Sequence, residues 1–81
     1  MPTGRQIREA RELLGLTPSR LAEKTRVVTT TTLKRVEAGE LGPRVAEAHV
    51  KAIRQTLERL GIEFVLEDGK KAGVKLRSGE L

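Results

Sequence analysis

Apolar residues recur every three or four positions from residue 4 to residue 60, which is the spacing of helices that bury one face. The first such segment spans 4–14 and stops before Gly15, a residue type that commonly follows a helix end. We therefore predict a first helix over residues 4–14. Its inward stripe comprises Ile7, Ala10, Leu13 and Leu14.

A second, shorter helix is predicted over residues 18–25. Thr17 can cap its N-terminus, and Pro18 suits the first helical position because that position needs no backbone N–H. Leu21 and Ala22 then face the core.

The next segment, Thr-Arg-Val-Val at 25–28, is a poor continuation of this helix, because adjacent β-branched residues lose rotamer freedom in helices. We predict a turn there, with either Val27 or Val28 filling the core. The four threonines at 29–32 form too short and too well framed a run for a low-complexity segment.

A third helix is predicted over residues 30–38. Thr29 is its expected N-cap, since a threonine hydroxyl accepts from an otherwise unpaired N–H of the first turn. Leu33 and Val36 supply the buried face, and Gly39 ends the helix.

A fourth helix is predicted over residues 44–60, after Pro43 and before Gly61. Its expected buried residues step by three or four positions. They are Ala46, Val50, Ile53, Leu57 and Leu60.

After the fourth helix the apolar period changes to two. Ile62, Phe64 and Leu66 alternate, the chain turns at Asp68-Gly69, and residues 74–77 alternate again, which predicts a β-hairpin. Because an isolated hairpin is marginal in water, it must dock on the helices or extend a sheet across a dimer. We divide the chain into a helical region at 1–61, a hairpin of the same domain at 62–77 that packs or dimerises, and a frayed tail at 78–81.

The composition supports this mainly α architecture, a bundle of about four helices with a C-terminal β-hairpin. The 81 residues suit one domain, whose core must come from Leu, Val, Ile and Ala because Phe64 is the sole aromatic residue. The lack of aromatic faces argues against binding single-stranded nucleic acid by base stacking. The absence of cysteine excludes disulfides and thiolate metal sites.

The chain carries 16 basic and 11 acidic residues, a net charge of +5. This balance suits a polyanionic partner, although mixed charges are equally typical of a solubilising surface. The N-terminus lacks the apolar run of a signal peptide, and no segment has the length and apolarity of a membrane span, so we expect a cytoplasmic protein.

Nothing in the sequence favours catalysis, a metal or a cofactor. His49 is the single histidine, and the glutamates are spaced like helix-surface charge pairs. Gly69 and Gly73 flank a hairpin tip instead of leading from a strand into a helix, so a phosphate-binding loop is not indicated.

The informative pattern is the pair of short helices joined by a tight turn, because such a pair can place its second helix in a DNA major groove. With Leu33 and Val36 inward, we predict base contacts from Thr30, Thr31 and Lys34. Threonine offers a donor, an acceptor and a methyl group, and lysine reaches guanine acceptors or a phosphate.

Hydroxyl and cationic residues around the predicted helices are candidates for contacts to the DNA backbone. Thr32 is expected to pack inward beside Leu33 instead. Arg35 either reaches phosphate or lies along the first helix. The backbone candidates are Arg5, Thr17, Ser19, Arg20, Arg26, Thr29, Arg35 and Arg44.

The segment from Ile7 to Gly39 resembles the XRE (Cro/CI-type) helix-turn-helix family of transcriptional regulators. The resemblance implies that Arg11 and Glu37 form a structural ion pair between the first and third helices. The residues that carry it are Arg11, Gly15-Leu16-Thr17, Leu21-Ala22 and Val36-Glu37-Ala38-Gly39. The predicted fourth helix and the segments 61–65 and 73–77 resemble the C-terminal part of small bacterial members of this family, which implies a stand-alone regulator without a ligand-sensing domain.

Two departures from the family pattern stand out. Pro18 occupies a position where the family often has a DNA-contacting glutamine, so Ser19 or Arg20 is expected to take over phosphate binding. The segment 21–37 is one residue longer than usual, and the extra residue either lengthens the second helix or reshapes the turn.

We therefore expect a sequence-specific regulator that binds double-stranded DNA as a homodimer on an inverted-repeat operator. Its dimer surface is expected at the fourth helix or at strand 62–66, since a free strand edge invites pairing. The alternative is a protein-interaction module, such as an antitoxin-like or adaptor protein.

Overall fold

The computed structural model describes residues 3–40, 43–65 and 73–77, and the side chains of residues 43–46 lie outside that description. The order of elements is four helices followed by an antiparallel pair of strands, which confirms the predicted mainly α bundle with a C-terminal hairpin. The helices are α1 (Gly4–Leu13), α2 (Pro18–Thr25), α3 (Thr30–Ala38) and α4 (Pro43–Arg59), and the strands are β1 (Ile62–Val65) and β2 (Gly73–Leu76).

Helix α1 is fixed at both ends by local hydrogen bonds. The Thr3 hydroxyl accepts from the Gln6 N–H at 3.1 Å, and Gln6 Oε1 accepts from the Thr3 N–H at 2.9 Å, which together form a capping box. At the other end Gly15 has φ +70°, and the Leu16 N–H donates to the Arg11 carbonyl at 3.1 Å. The helix thus ends one residue earlier than predicted, with Leu14 as its C-cap.

The core draws on all four helices, the turn after α2 and the first residue of β1. Helix α1 packs against α3, α4 and β2, and α2 packs against α3 and α4. Among the residues whose side chains are described, the buried apolar ones are Ile7, Ala10, Leu21, Ala22, Val28, Leu33, Val36, Val50, Ile53, Leu57 and Ile62.

Two leucines assigned to buried stripes are exposed, and those assignments are wrong. Leu13 is 48% exposed, because it points about 100° around the helix axis from Leu14, which does pack against the core. Leu60 is 37% exposed, because α4 ends at Arg59 and the chain turns away through Gly61 at φ +100°. The side chain of Ala46 lies outside the described residues.

The hairpin docks on the helices, as its marginal stability required. Its register pairs Ile62 with Leu76 and Phe64 with Val74. The buried Gln6 amide donates to both strands, to the Gly73 carbonyl at 3.0 Å and to the Val65 carbonyl at 3.4 Å. Leu66, the predicted turn at Asp68-Gly69 and the tail at 78–81 lie outside the described residues.

Within residues 3–40, 43–65 and 73–77, no helix combines the length and apolarity that crossing a membrane requires.

Candidate nucleic-acid interface

The turn between α2 and α3 is organised around the buried hydroxyl of Thr25. This hydroxyl donates to the Ala22 carbonyl at 2.7 Å and accepts from the Val28 N–H at 3.0 Å. The resulting geometry directs Val28 into the core at 6% exposure and leaves Val27 outside at 69%. Of the two valines considered for the core position, Val28 is therefore the one that fills it.

Helix α2 has its predicted length, and the turn that follows it begins with a residue in the left-handed conformation. Helix α2 keeps the eight residues from Pro18 to Thr25, and Arg26 follows in the left-handed conformation with φ +67°. Glycine is the usual residue in such a position because it has no Cβ. An L-residue there raises the free energy of the fold by about 1–2 kcal/mol.

The first turn of α3 uses two of the four threonines for its own hydrogen bonds. The Thr29 hydroxyl accepts from the Thr32 N–H at 3.1 Å as the helix N-cap and lies 3.0 Å from the Thr32 hydroxyl. Thr32 is half-buried beside the fully buried Leu33, the side on which it was expected. Thr31 is exposed and Thr30 is half-buried.

The solvent face of α3 presents Thr31, Lys34 and Arg35, which fall within an arc of about 100° around the helix axis. All three side chains are exposed. Among the described residues, no carboxylate lies within ion-pairing distance of Lys34 or Arg35, and Arg35 makes no hydrogen bond to α1. The face therefore offers two cations and a hydroxyl to an outside partner.

A shallow open depression of about 350 Å³ lies between α2 and α3. It brings three of the predicted backbone-contact residues, Ser19, Arg26 and Thr29, together with Thr30. One carboxylate, Glu23, lines the same depression. The remaining lining residues are Ala22 and Val28.

The other backbone candidates are more dispersed. The Thr17 hydroxyl accepts from the Arg20 N–H at 3.2 Å and caps α2, while the Arg20 side chain is exposed. Arg5 lies on α1 and pairs with Glu9 at 3.4 Å. The side chain of Arg44 lies outside the described residues.

Arg11 and Glu37 form a bidentate ion pair between α1 and α3. Arg11 Nε and Nη2 donate to the two Glu37 oxygens at 2.8 and 3.1 Å, and Nη1 donates to the Leu16 carbonyl at 2.9 Å. The side chains of Arg11 and Glu37 are only 12% and 9% exposed. The hydrogen bonds that Arg11 donates to Glu37 raise the pKa of Arg11 above its ordinary value, so this guanidinium stays cationic and paired within the fold.

Sequence reasoning missed two polar residues that shape this region. Gln6 could have been found from the Thr3-x-x-Gln6 spacing, which is the signature of a capping box. Thr25 carries a weaker signal, since a threonine in the last turn of a helix often bonds a preceding backbone carbonyl. In the described part of the chain, no group of three or more metal-ligating side chains comes together.

Residues 7–49, more than half of the chain, match the family model HTH_3, described as Helix-turn-helix. None of the curated proteins matches the chain. The matched segment contains α2, the turn and α3, which are the elements that present the exposed cationic face. The chain therefore belongs to the XRE-type helix-turn-helix family of DNA-binding transcriptional regulators.

Proposed function

We propose that the protein reads a specific duplex sequence by inserting α3 into the major groove, with Thr30, Thr31 and Lys34 at the base edges. The observation that carries the proposal is the solvent face of α3, where Thr31 and Lys34 are exposed together. Threonine can pair with a base or touch a thymine methyl, and an ammonium group suits the guanine acceptors.

The depression between α2 and α3 supports a backbone contact beside this face. Ser19, Arg26 and Thr29 line it with hydroxyl and guanidinium groups, and it adjoins the N-terminus of α3. A helix N-terminus favours an anion because its first N–H groups are unpaired and its dipole is positive there. Thr17, Arg20 and Arg35 would add further contacts to the DNA backbone. Arg5 can contribute a phosphate contact only by giving up its ion pair with Glu9.

A titration of fluorescent duplexes, selected from a random library with the wild-type protein, tests the proposal. We expect Lys34→Ala to weaken binding to the selected duplex by about 5- to 150-fold and to relax discrimination at one base pair. Lys51→Ala removes an equally exposed lysine from α4 and serves as the matched control, with unchanged binding. Unchanged binding by both Lys34→Ala and Thr31→Ala at every salt concentration would contradict the role of α3.

We further propose that the protein binds as a homodimer on an inverted repeat, with its two α3 helices about 34 Å apart. Leu60 supports a dimer surface at the end of α4, because it exposes an apolar side chain between α4 and β1, the two elements at which the dimer surface is expected. Strand β1 has one hydrogen-bonded neighbour, β2, in the described sheet, and a free edge is suited to pairing with a second copy. The competing interpretation, a protein-interaction module, predicts no duplex binding even at low salt.

A further inference from the structure

The first turn of α1 approaches the last turn of α3 at Gly4. A Cβ placed on Gly4 would lie 2.6 Å from the Glu37 carbonyl oxygen and 2.9 Å from the Glu37 carbonyl carbon, and still closer to the Val36 oxygen. Real Cβ atoms essentially never come within 3.0 Å of such atoms. Because the obstructing atoms are backbone, no side-chain rotation can relieve this contact.

The Arg11–Glu37 pair holds the same end of α3. Its two hydrogen bonds of 2.8 and 3.1 Å attach to the residue whose carbonyl faces Gly4. The C-terminal turn of α3 is therefore held by α1 through a close backbone contact and a buried ion pair. The opposite end of α3 is held by the Thr29 cap and by the turn that buries Val28.

We propose that Gly4 is a positioning residue for DNA recognition: its missing side chain lets α1 set the tilt of α3. This proposal rests on the proposed reading of bases by α3. The solvent face of α3 lies on the same rigid helix as the contact with Gly4, so movement at the contact is passed on to Thr31 and Lys34.

The size of the helix shows why a small displacement is sufficient. The nine residues of α3 span roughly 13 Å, so a shift of about 1 Å at one end tilts the helix by about 4°. Base-reading groups must be held to within about 0.5 Å of their productive geometry. Phosphate contacts from flexible arginine and lysine side chains tolerate such a shift much better, so base discrimination should suffer before general affinity.

The test compares Gly4→Ala with wild type on the tightest duplex selected by the wild-type protein and on its single-base variants. We expect Gly4→Ala to lower the ratio between those affinities by about 10-fold, a loss within the range carried by one base contact. The slope of the logarithm of affinity against the logarithm of salt concentration should differ from that of wild type by no more than about one phosphate contact. Ile62→Val is the control for lost stability, because it removes one buried methylene from β1, which packs on α4 and β2. It should keep the wild-type base discrimination.

Three outcomes overturn the proposal. A folded Gly4→Ala protein that retains the wild-type discrimination shows that the contact does not position α3. If Gly4→Ala does not fold, Glu37→Gln tests the second link between α1 and the same turn of α3, because it weakens the ion pair and keeps the size of the side chain. Unchanged base discrimination by Glu37→Gln would then show that α1 does not set the tilt of α3. A wild-type protein that prefers no duplex sequence refutes the proposed function itself, which is distinct from the first two results.

Discussion

Arg26 carries two roles that substitution can separate. Its backbone adopts the left-handed conformation, with φ +67°, while its side chain lines the depression between α2 and α3. We expect Arg26→Gly to stabilise the fold by about 0.5–1 kcal/mol, because glycine removes the cost of the left-handed conformation, about 1–2 kcal/mol, but loses about 0.5–1 kcal/mol more backbone entropy on folding. The same variant should reduce the salt dependence of DNA binding by about one phosphate contact.

Chemical denaturation and salt-dependent titration measure these two effects independently. Arg26→Ala is the matched control, since alanine keeps the backbone strain and removes only the charge. It should lose the phosphate contact without gaining stability. Equal stability of the glycine and alanine variants would show that the left-handed turn carries no strain.

Glu37 is expected to contribute strongly to stability because it accepts two hydrogen bonds from the largely covered Arg11 side chain. Removing the carboxylate in Glu37→Ala leaves the Arg11 guanidinium, 12% exposed, with the Leu16 carbonyl as its remaining acceptor among the described residues. Breaking a buried pair in this way destabilises a protein by about 3–5 kcal/mol. In the wild-type protein the hydrogen bond to Glu37 raises the pKa of Arg11, so the stabilising effect of the pair is fully present at neutral and moderately alkaline pH and is lost only as the pH rises through that raised pKa.

Urea unfolding of Glu37→Ala checks this expectation against Glu9→Ala. Glu9 belongs to an exposed pair with Arg5 at 3.4 Å, and such helix-surface pairs contribute at most about 0.5 kcal/mol. If the two variants lost the same stability, the buried pair would have no special role.

The bounds of α2 and α3 were predictable from local signals. Thr17 and Thr29 cap the two helices, and Gly39 follows the last turn of α3, so the predicted spans 18–25 and 30–38 agree with the structure. Caps act on the backbone within one turn and need no distant partner. The exposure of Leu13 and Leu60 was not predictable, because a leucine at the edge of a stripe is buried only where another element covers it.

One side chain of α1, Gln6, donates hydrogen bonds to both strands of the hairpin. Gln6 donates to the carbonyls of Val65 and Gly73 and is 1% exposed, so Gln6→Ala leaves two backbone acceptors without this partner. We expect the variant to lose roughly 2 kcal/mol of stability, the usual penalty for unsatisfied buried polar groups. Amide hydrogen exchange should show faster opening of β1 and β2 than of α2 and α3.

Gln55→Ala is the control for this prediction, because Gln55 is an exposed glutamine on α4. It should leave both stability and exchange unchanged. Unaltered protection of the strands in Gln6→Ala would mean that apolar packing alone holds the hairpin.

The assembly of two chains can be tested at Leu60. We expect Leu60→Asp to convert the proposed dimer into a monomer, because a carboxylate replaces an apolar contact at the centre of the surface. Light scattering measures the mass, and titration should show a loss of preference for an inverted repeat over a single half-site. Leu76→Asp is the matched control, since Leu76 is 46% exposed on β2. A Leu60→Asp dimer, or a monomeric wild-type protein, would contradict the proposed surface.

The sequence by itself determined the order of elements, the limits of the two central helices and the membership of a DNA-binding family. The apolar period, the capping residues and the helix-turn-helix pattern depend on residues that are close in sequence, so they do not change with the elements that pack around them. It also identified the residues of α3 that face away from Leu33 and Val36, because helical geometry fixes the opposite face once one face is buried.

Only the tertiary structure decided which valine enters the core, how the chain turns after α2 and what holds the far end of α3. Val27 and Val28 have the same side chain, and the Thr25 hydroxyl separates them by fixing the turn. Gly4 is unremarkable in the sequence, and its importance comes from carbonyls more than thirty residues away. Contacts between distant segments depend on how the helices pack in three dimensions, and the local pattern of residues does not contain that information.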